Sequence, residues 1–275
     1  MGTPDLSNEL EVAVRLARQA AAAIMDYYQT GVAVDYKDGD EPVTAADRAA
    51  DRIIGAGLRE HFADDGLLSE ESADDPRRLD RERVWIVDPL DGTADFIDHT
   101  GDFAVQIALT VAGRPVLGVV YQPLQDLMFH ARRGQGAYLV HDGERTQLHV
   151  SAVSDPGRMC LVASRSHFSP FIRAAQRALG IERVHQAGGV GVKIGMLARG
   201  ACDLYLTTNV CKEWDLCAPH AVLQEAGGTF TNLLGEPLIY NRAGVQECHG
   251  LAASNGQAHS QILEALAPLR DSMDQ

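Results

Sequence analysis

The stretch Val84-Trp85-Ile86-Val87-Asp88-Pro89-Leu90-Asp91-Gly92-Thr93 decides how this chain is read. Four consecutive apolar residues predict a short buried strand. Two carboxylates three positions apart follow, then a glycine and a hydroxyl. Pro89 stiffens the turn expected after Asp88. A tight turn there can aim Asp88, Asp91 and the Leu90 carbonyl at one point. Such an all-oxygen set suits Mg²⁺ rather than a softer metal. If Gly92-Thr93 opens a helix, its first N–H groups can hold a phosphate oxygen. Taken alone, the same residues also read as an ordinary strand end followed by turn and N-cap residues.

Other acidic positions shift that balance. Glu70-Glu71 follows a second short strand, 67–69. Asp47 closes the capping-box pattern Thr44-Ala45-Ala46-Asp47 ahead of a helix expected over about 44–60. Asp215 follows Trp214 at the start of a helix expected over 214–226, which Gly227-Gly228 ends. Individually these are a solvated pair and two caps. Gathered into one site they repel by about 4 kcal/mol per pair at 4 Å and an effective dielectric of 20. Such a cluster persists only with cations or bound protons.

The remaining pattern supplies a frame. Leu10, Val14, Ala17, Ala21, Ile24 and Tyr28 recur at three- and four-residue steps, predicting an amphipathic helix that Gly31 stops. Runs 103–111, 116–121 and 127–131 predict a meander with Gly113-Arg114-Pro115 as one turn. Later segments alternate: strand 160–164, helices 170–179 and 190–199, strand 202–206, strand 251–254 and helix 260–269. An α+β lobe over 1–152 and an α/β lobe over 153–275, fused as one compact unit, is the expected organisation.

Composition excludes several classes. The 275 residues carry 24 Lys plus Arg against 38 Asp plus Glu, a formal net charge of −14. That lacks the basic footprint a nucleic-acid backbone needs. No apolar run reaches the ~18 residues of a membrane span, and the first residues do not read as a secretory leader. The five cysteines are an odd count without CxxC spacing and read as reduced thiols, so a cytoplasmic location is expected. Gly189-x-Gly191 suggests a dinucleotide loop, but position 194 is Ile194 rather than a third glycine. No P-loop, Asp-x-Asp, Gly-x-Ser-x-Gly or HExxH pattern accompanies the other candidates, Ser166-His167 among them.

Four motifs in order, Pro42-Val43-Thr44-Ala45-Ala46-Asp47, Ser69-Glu70-Glu71-Ser72, Asp88-Pro89-Leu90-Asp91-Gly92-Thr93 and Trp214-Asp215 with Ala226-Gly227-Gly228, resemble those of the inositol monophosphatase superfamily of Mg²⁺-dependent, Li⁺-sensitive phosphomonoesterases. The resemblance spans about residues 37–242 and implies a layered α-β-α-β-α sandwich, in line with the α+β and α/β halves. It implies two to three Mg²⁺ ions. Glu70, Asp88 and the Leu90 carbonyl would hold the first, Asp88, Asp91 and Asp215 the second, and a weaker third would lie near Glu70 and Asp47. Thr93 and Asp47, beside Glu70, would orient and deprotonate the attacking water, and the N–H groups of Gly92 and Thr93 would grip the phosphate. A small phosphorylated substrate is the implied partner, without nucleic acid or membrane, and a homodimer is the assembly to test.

Finer segments resemble the bacterial 3′(2′),5′-bisphosphate nucleotidase branch, which acts on 3′-phosphoadenosine 5′-phosphate: Gly101-Asp102-Phe103-Ala104-Val105, Ser164-Arg165-Ser166-His167, Lys193 and Gly235-Glu236-Pro237-Leu238-Ile239-Tyr240-Asn241. A second phosphate needs an extra cation, and Arg165 and Lys193 are the candidates. Inositol-specific members carry a glutamate seven residues before the metal-binding aspartate, where this chain has Thr208. The branch usually reads Gly-Ser-Ser-Leu-Lys where this chain has Gly189-Val190-Gly191-Val192-Lys193, so two hydroxyls are missing. Inositol 1-phosphate or another sugar phosphate is the alternative substrate, and a non-catalytic ligand-binding role the alternative class.

Overall fold

The computed structural model describes residues 5–31, 33–36, 42–165, 169–247 and 249–271. The first helix forms where the apolar period predicts it: α1 (Ser7–Thr30) buries Val12, Leu16, Ala17, Ala20, Ala21 and Ile24, and the Gly31 N–H bonds the Tyr27 carbonyl at its end. A small hairpin, β1 (Val34–Tyr36) and β2 (Pro42–Thr44), leads into α2 (Ala45–His61). Thr44 caps α2, and Asp47 completes the box.

Seven strands then lie side by side in chain order: β3 (Gly66–Ser69), β4 (Arg83–Asp91), β5 (Ala104–Val111), β6 (Arg114–Gln122), β7 (Leu127–Arg132), β8 (Ala137–His141) and β9 (Glu144–Gln147). All neighbours are antiparallel except β3 and β4, which are parallel. The two-residue period divides their side chains between two cores. Trp85 and Val87 join Val105, Ile107, Leu117 and Val119 beneath α1 and α2, while Val84 and Ile86 join Ala104, Ala108 and Val120 on the opposite face.

A second sheet has the order β11 (Arg183–Ala187), β10 (Cys160–Ser164), β12 (Leu204–Thr207), β16 (Leu251–Ser254), β14 (Thr229–Asn232). Its first three strands are parallel and the last two pair antiparallel. A two-residue ladder joins β13 (Cys211–Lys212) to β15 (Gln246–Glu247). Between the sheets lie α5 (Val190–Ala198) and α6 (Glu213–Glu225); α4 (Pro170–Leu179) and α7 (His259–Asp271) cover the outer face of the smaller sheet. The short α3 (Thr93–Ile97) follows β4. The layers therefore run α-β-α-β-α. The large sheet ends at Gln147 and the small one starts at Cys160, yet α6 packs on β4, β5, β6 and β7, so the two halves share a core.

Several expectations need correction. Gly113-Arg114-Pro115 is not a turn: Ala112 and Gly113 make it, with φ of 49° and 70°, and Arg114 and Pro115 already belong to β6. Strands β8, β9 and β11 were not anticipated because they sit near sheet edges with few buried side chains and show no clean alternation. Among the described residues, Cys160, Cys202, Cys211 and Cys217 are buried and free; Cys248 lies outside them. Among the described residues no helix is long and apolar enough to cross a membrane.

The middle layer is seated by Gly118 on β6. A Cβ there would stand 2.4 Å from the Ala218 carbonyl oxygen and 2.8 Å from the Ala221 Cβ on α6. Gly118→Ala should therefore lower stability by about 1–3 kcal/mol through overpacking, read as a reduced urea midpoint at unchanged slope.

Two buried imidazoles make the fold acid-sensitive. Burial pushes His130 on β7 and His220 on α6 down to about 4 from the usual 6.5, with nearby arginines adding to it. The unfolded chain takes up these protons below pH 6.5 while the folded one does not until about pH 4. At these two sites the penalty is absent above pH 6.5 and grows between 6.5 and 4, to about 3 kcal/mol per histidine. His220→Asn should flatten this decline in urea titrations compared at pH 7 and pH 5; an unchanged slope would remove His220 from the account.

Candidate active site

Parallel pairing brings the first two carboxylates together. Because β3 and β4 run the same way, their C-terminal ends emerge on one side, and the ladder Ser69↔Val87 is extended by the Glu70 N–H donating to the Val87 carbonyl at 3.2 Å. Glu70 therefore leaves β3 beside Asp88. Contrary to the expected turn after Asp88, β4 continues to Asp91 through a bulge: Asp88 pairs with Gln106 and Asp91 with Ala104, three steps against two. Residues three apart on a regular strand face opposite sides, and the extra residue cancels that. Both aspartates consequently line the same cleft, of about 280 Å³. Asp88 Oδ1 accepts from the Leu90 N–H at 2.9 Å.

The N-terminus of α2 supplies the next group. Asp47 is almost fully buried, and its Oδ2 accepts from the Thr44 N–H at 2.8 Å and the Thr44 hydroxyl at 2.6 Å. Its Oδ1 lies 3.0 Å from Thr93 Oγ1, which is also 3.1 Å from the Leu90 carbonyl. The cap and the segment after β4 are thus one unit, though 46 residues apart in sequence. One turn along α2, Asp51 accepts from the Ser69 and Ser72 hydroxyls, each at 2.6 Å, and so fixes the segment that carries Glu70. The sequence reading missed Asp51. The signal was its position four residues after Asp47 on the same helix face.

The N-terminus of α5 receives Asp91. Its two oxygens accept from the Val190 N–H at 2.9 Å and the Gly191 N–H at 2.7 Å. This contact explains the Gly189-x-Gly191 pattern without a nucleotide: a Cβ on Gly189 would lie 2.6 Å from Asp91 Oδ2. Gly92 has φ 90°, the left-handed region that glycine enters freely. The α3 start predicted at Gly92-Thr93 is present. At the head of α6, Asp215 Oδ2 accepts from the Lys212 N–H at 2.8 Å.

Glu70, Asp88, Leu90, Asp91, Gly92, Thr93, Lys193 and Asp215 all line the one cleft. Its electrostatics are those of crowded anions. Burial, then Glu70, Asp91 and Asp215, hold the Asp88 carboxyl well above its usual range. Burial also raises Asp91, against the opposing pull of Lys193 and the two α5 N–H groups. Among the described residues no three His, Cys, Asp or Glu side chains form a ready-made metal cluster. The donor set nevertheless fits a hard divalent cation, because its groups are oxygens and their mutual repulsion is what such an ion relieves.

The two cations expected to face a second phosphate are placed differently. Lys193 is no surface charge: it is buried in the cleft floor, its Nζ donates to the Gly188 carbonyl at 2.7 Å, and burial pulls its ammonium down while Asp91 opposes that shift. The Arg165 guanidinium is engaged by Asp95 and Asp102, both at 2.6 Å, and Asp102 also accepts from the Gly188 N–H at 2.9 Å. Arg165 therefore ties the start of α3 to the α5 loop instead of presenting an uncompensated charge. Ser166 and His167 lie outside the described residues. Thr208 sits between Thr207 and Asn209, which line the cleft wall.

Comparison with known proteins places this geometry. The profile of the inositol monophosphatase family matches residues 5–271. The chain is 39% identical over 238 residues to the 3′(2′),5′-bisphosphate nucleotidase CysQ of Salmonella typhimurium, covering 84% of this chain and 93% of that protein. It is 27% identical over 260 residues to the inositol-1-monophosphatase of Bacillus subtilis, covering 92% and 94%. The crystal structure of the extragenic suppressor protein suhB from Bartonella henselae superimposes with a TM-score of 0.83 at 28% identity, covering 95% of this chain and 99% of that one. With the layered fold and the motifs of one cleft on a single chain, this chain belongs to the inositol monophosphatase family.

Proposed function

We propose that this chain is a Mg²⁺-dependent phosphomonoesterase that removes the 3′-phosphate of 3′-phosphoadenosine 5′-phosphate, giving AMP and phosphate. The reaction class rests on one observation above the rest: the Thr93 hydroxyl and the buried Asp47 carboxylate meet at 3.0 Å beside a cleft lined with carboxylates. The substrate rests on the likeness to bisphosphate nucleotidases.

In this reading Glu70, Asp88, Asp91, Asp215 and the Leu90 carbonyl hold Mg²⁺. When bound, the metal neutralises phosphoryl oxygens and makes water a nucleophile near neutral pH. The chain's own groups do the positioning. Thr93 Oγ1 accepts the proton of the attacking water and passes its own to Asp47 Oδ1, whose other oxygen is already committed to Thr44. The N–H groups of Gly92 and Thr93 orient the phosphate, and Asp51 keeps Glu70 in place through Ser69 and Ser72. Lys193, next to Asp91, offsets part of the negative charge of the floor. Arg165 reaches a substrate phosphate only by leaving Asp95 and Asp102. Among the described residues the free thiols Cys160, Cys202, Cys211 and Cys217 suit a reducing cytoplasmic setting.

Inositol 1-phosphate is the second reading, supported by the likeness to the Bacillus enzyme and weakened by Thr208 in place of a glutamate. Phosphate release from the two esters, with and without Li⁺, separates them. We expect faster turnover of 3′-phosphoadenosine 5′-phosphate and its inhibition by Li⁺; a clear preference for inositol 1-phosphate reverses the assignment. No release from any ester with Mg²⁺ present leaves a binding protein on this fold.

Thr93→Ala and Asp47→Asn test the proton path. Each should lower kcat by about 10²–10⁴-fold with a much smaller change in KM. An unchanged kcat in either variant sinks that residue's role.

A further inference from the structure

Gln106 lies on β5 directly opposite Asp88 in the β4–β5 ladder, and it is completely buried. Its amide head is anomalous. Among the buried side chains of the described residues, its Nε2 and Oε1 are the atoms left without a hydrogen-bond partner. Neighbours on every side could have been apolar: the flanking Val105 and Ile107 belong to one core, and Ala104 and Ala108 to the other. An orphaned buried amide is costly, and natural chains rarely keep one without a use for it.

The surroundings say what the use is. A Cβ on Gly191 would stand 3.1 Å from Gln106 Nε2 and 3.1 Å from Asp91 Oδ2, so the amide and that carboxylate flank the same point at the head of α5. The head lies beside Asp91 without completing a hydrogen bond to it. Asp91 is meanwhile held by the Val190 and Gly191 N–H groups.

We propose that Gln106 is a positioning residue: its amide, between Asp88 and Asp91, sets the orientation in which these two carboxylates take the divalent cation. The inference rests on the reading that Asp88 and Asp91 hold Mg²⁺. It assigns to the second strand of the sheet a part in metal affinity that none of the acidic motifs contains. Groups behind metal ligands commonly change affinity by about 10–100-fold when removed.

The experiment compares wild type with Gln106→Met, which keeps the length and removes the amide, and with Gln106→Asn, which keeps the amide on a shorter stem. Thermal unfolding is followed against Mg²⁺ concentration without substrate, and kcat and KM are measured at limiting and saturating Mg²⁺. Expected for Gln106→Met is a melting temperature in EDTA equal to or above wild type, since an unpartnered amide has been removed. The Mg²⁺ midpoint for stabilisation should rise about tenfold or more. Saturating Mg²⁺ should restore kcat to within about threefold, with KM for the ester little changed, and Gln106→Asn should fall between Gln106→Met and wild type.

A Gln106→Met protein with the wild-type Mg²⁺ midpoint overturns the proposal. So does one that fails to fold, because the amide would then be satisfied within the core. If wild type itself gains no stability from Mg²⁺, the metal reading has failed and Gln106 falls with it, an outcome visible before any variant is made.

Discussion

Glu70, Asp88, Asp91 and Asp215 face one small cleft and repel one another, and the architecture around them is arranged to hold them there. Asp88 feels the charges of Glu70, Asp91 and Asp215 within a buried setting. Backbone N–H donors fix three of them from behind, and a backbone bond seats the fourth. The Leu90 N–H holds Asp88, the first turn of α5 holds Asp91, the first turn of α6 holds Asp215, and the β4 edge holds the Glu70 backbone. Helix N-termini are well suited to this, since their first N–H groups lack partners within the helix and favour negative charge. The same logic places Asp47 at the head of α2. Three helices, α2 from the outer layer and α5 and α6 from the middle one, thus turn their N-terminal ends toward this region.

The local pieces of this arrangement were legible in the sequence because local chemistry specifies them. Thr44 and Asp47 announce a cap, Gly31 a stop, and the apolar run before Asp88 a strand. What joins the pieces was not legible. The bulge between Asp88 and Asp91 depends on how β5 pairs with β4, and a strand's own residues do not state its partner's register. The bonds from Asp51 to Ser69 and Ser72 are long-range in the same sense. Gly189-x-Gly191 suggested only a dinucleotide loop that Ile194 spoiled; the carboxylate its backbone meets lies about a hundred residues earlier. Lys193 and Arg165 were recognisable as charges, and only the fold shows that one is buried in the cleft floor and the other engaged by Asp95 and Asp102.

The engagement of Arg165 also bears on how an acidic protein accepts an anionic ester. The chain carries a formal −14, and most of its carboxylates lie outside the cleft. Within the cleft region the cations Lys193 and Arg165 are already opposed by Asp91, Asp95 and Asp102. The protein groups alone therefore present a negative floor to the substrate. In the proposed reading, positive charge at the reacting phosphate comes from bound ions, which invert the local field that the carboxylates create. Global charge governs solubility and non-specific partners, whereas the ion load of the site governs the substrate.

A site built this way carries a stability burden that the rest of the fold offsets. Asp88 is held where ionisation is unfavourable, Lys193 is buried, and Gln106 has an amide without a partner. None of these belongs in a core selected for stability alone, and each lies within the small region where β4, β5 and α5 meet. Three large apolar cores surround that region, one on each side of the large sheet and one beneath the outer helices. The packing of α6 on Gly118 illustrates how closely the middle one is fitted. Close packing there opposes any relaxation of the carboxylates away from one another. A looser middle layer would let Asp215 drift from Asp88, lowering the repulsion and, with it, the drive to bind the ion that removes it.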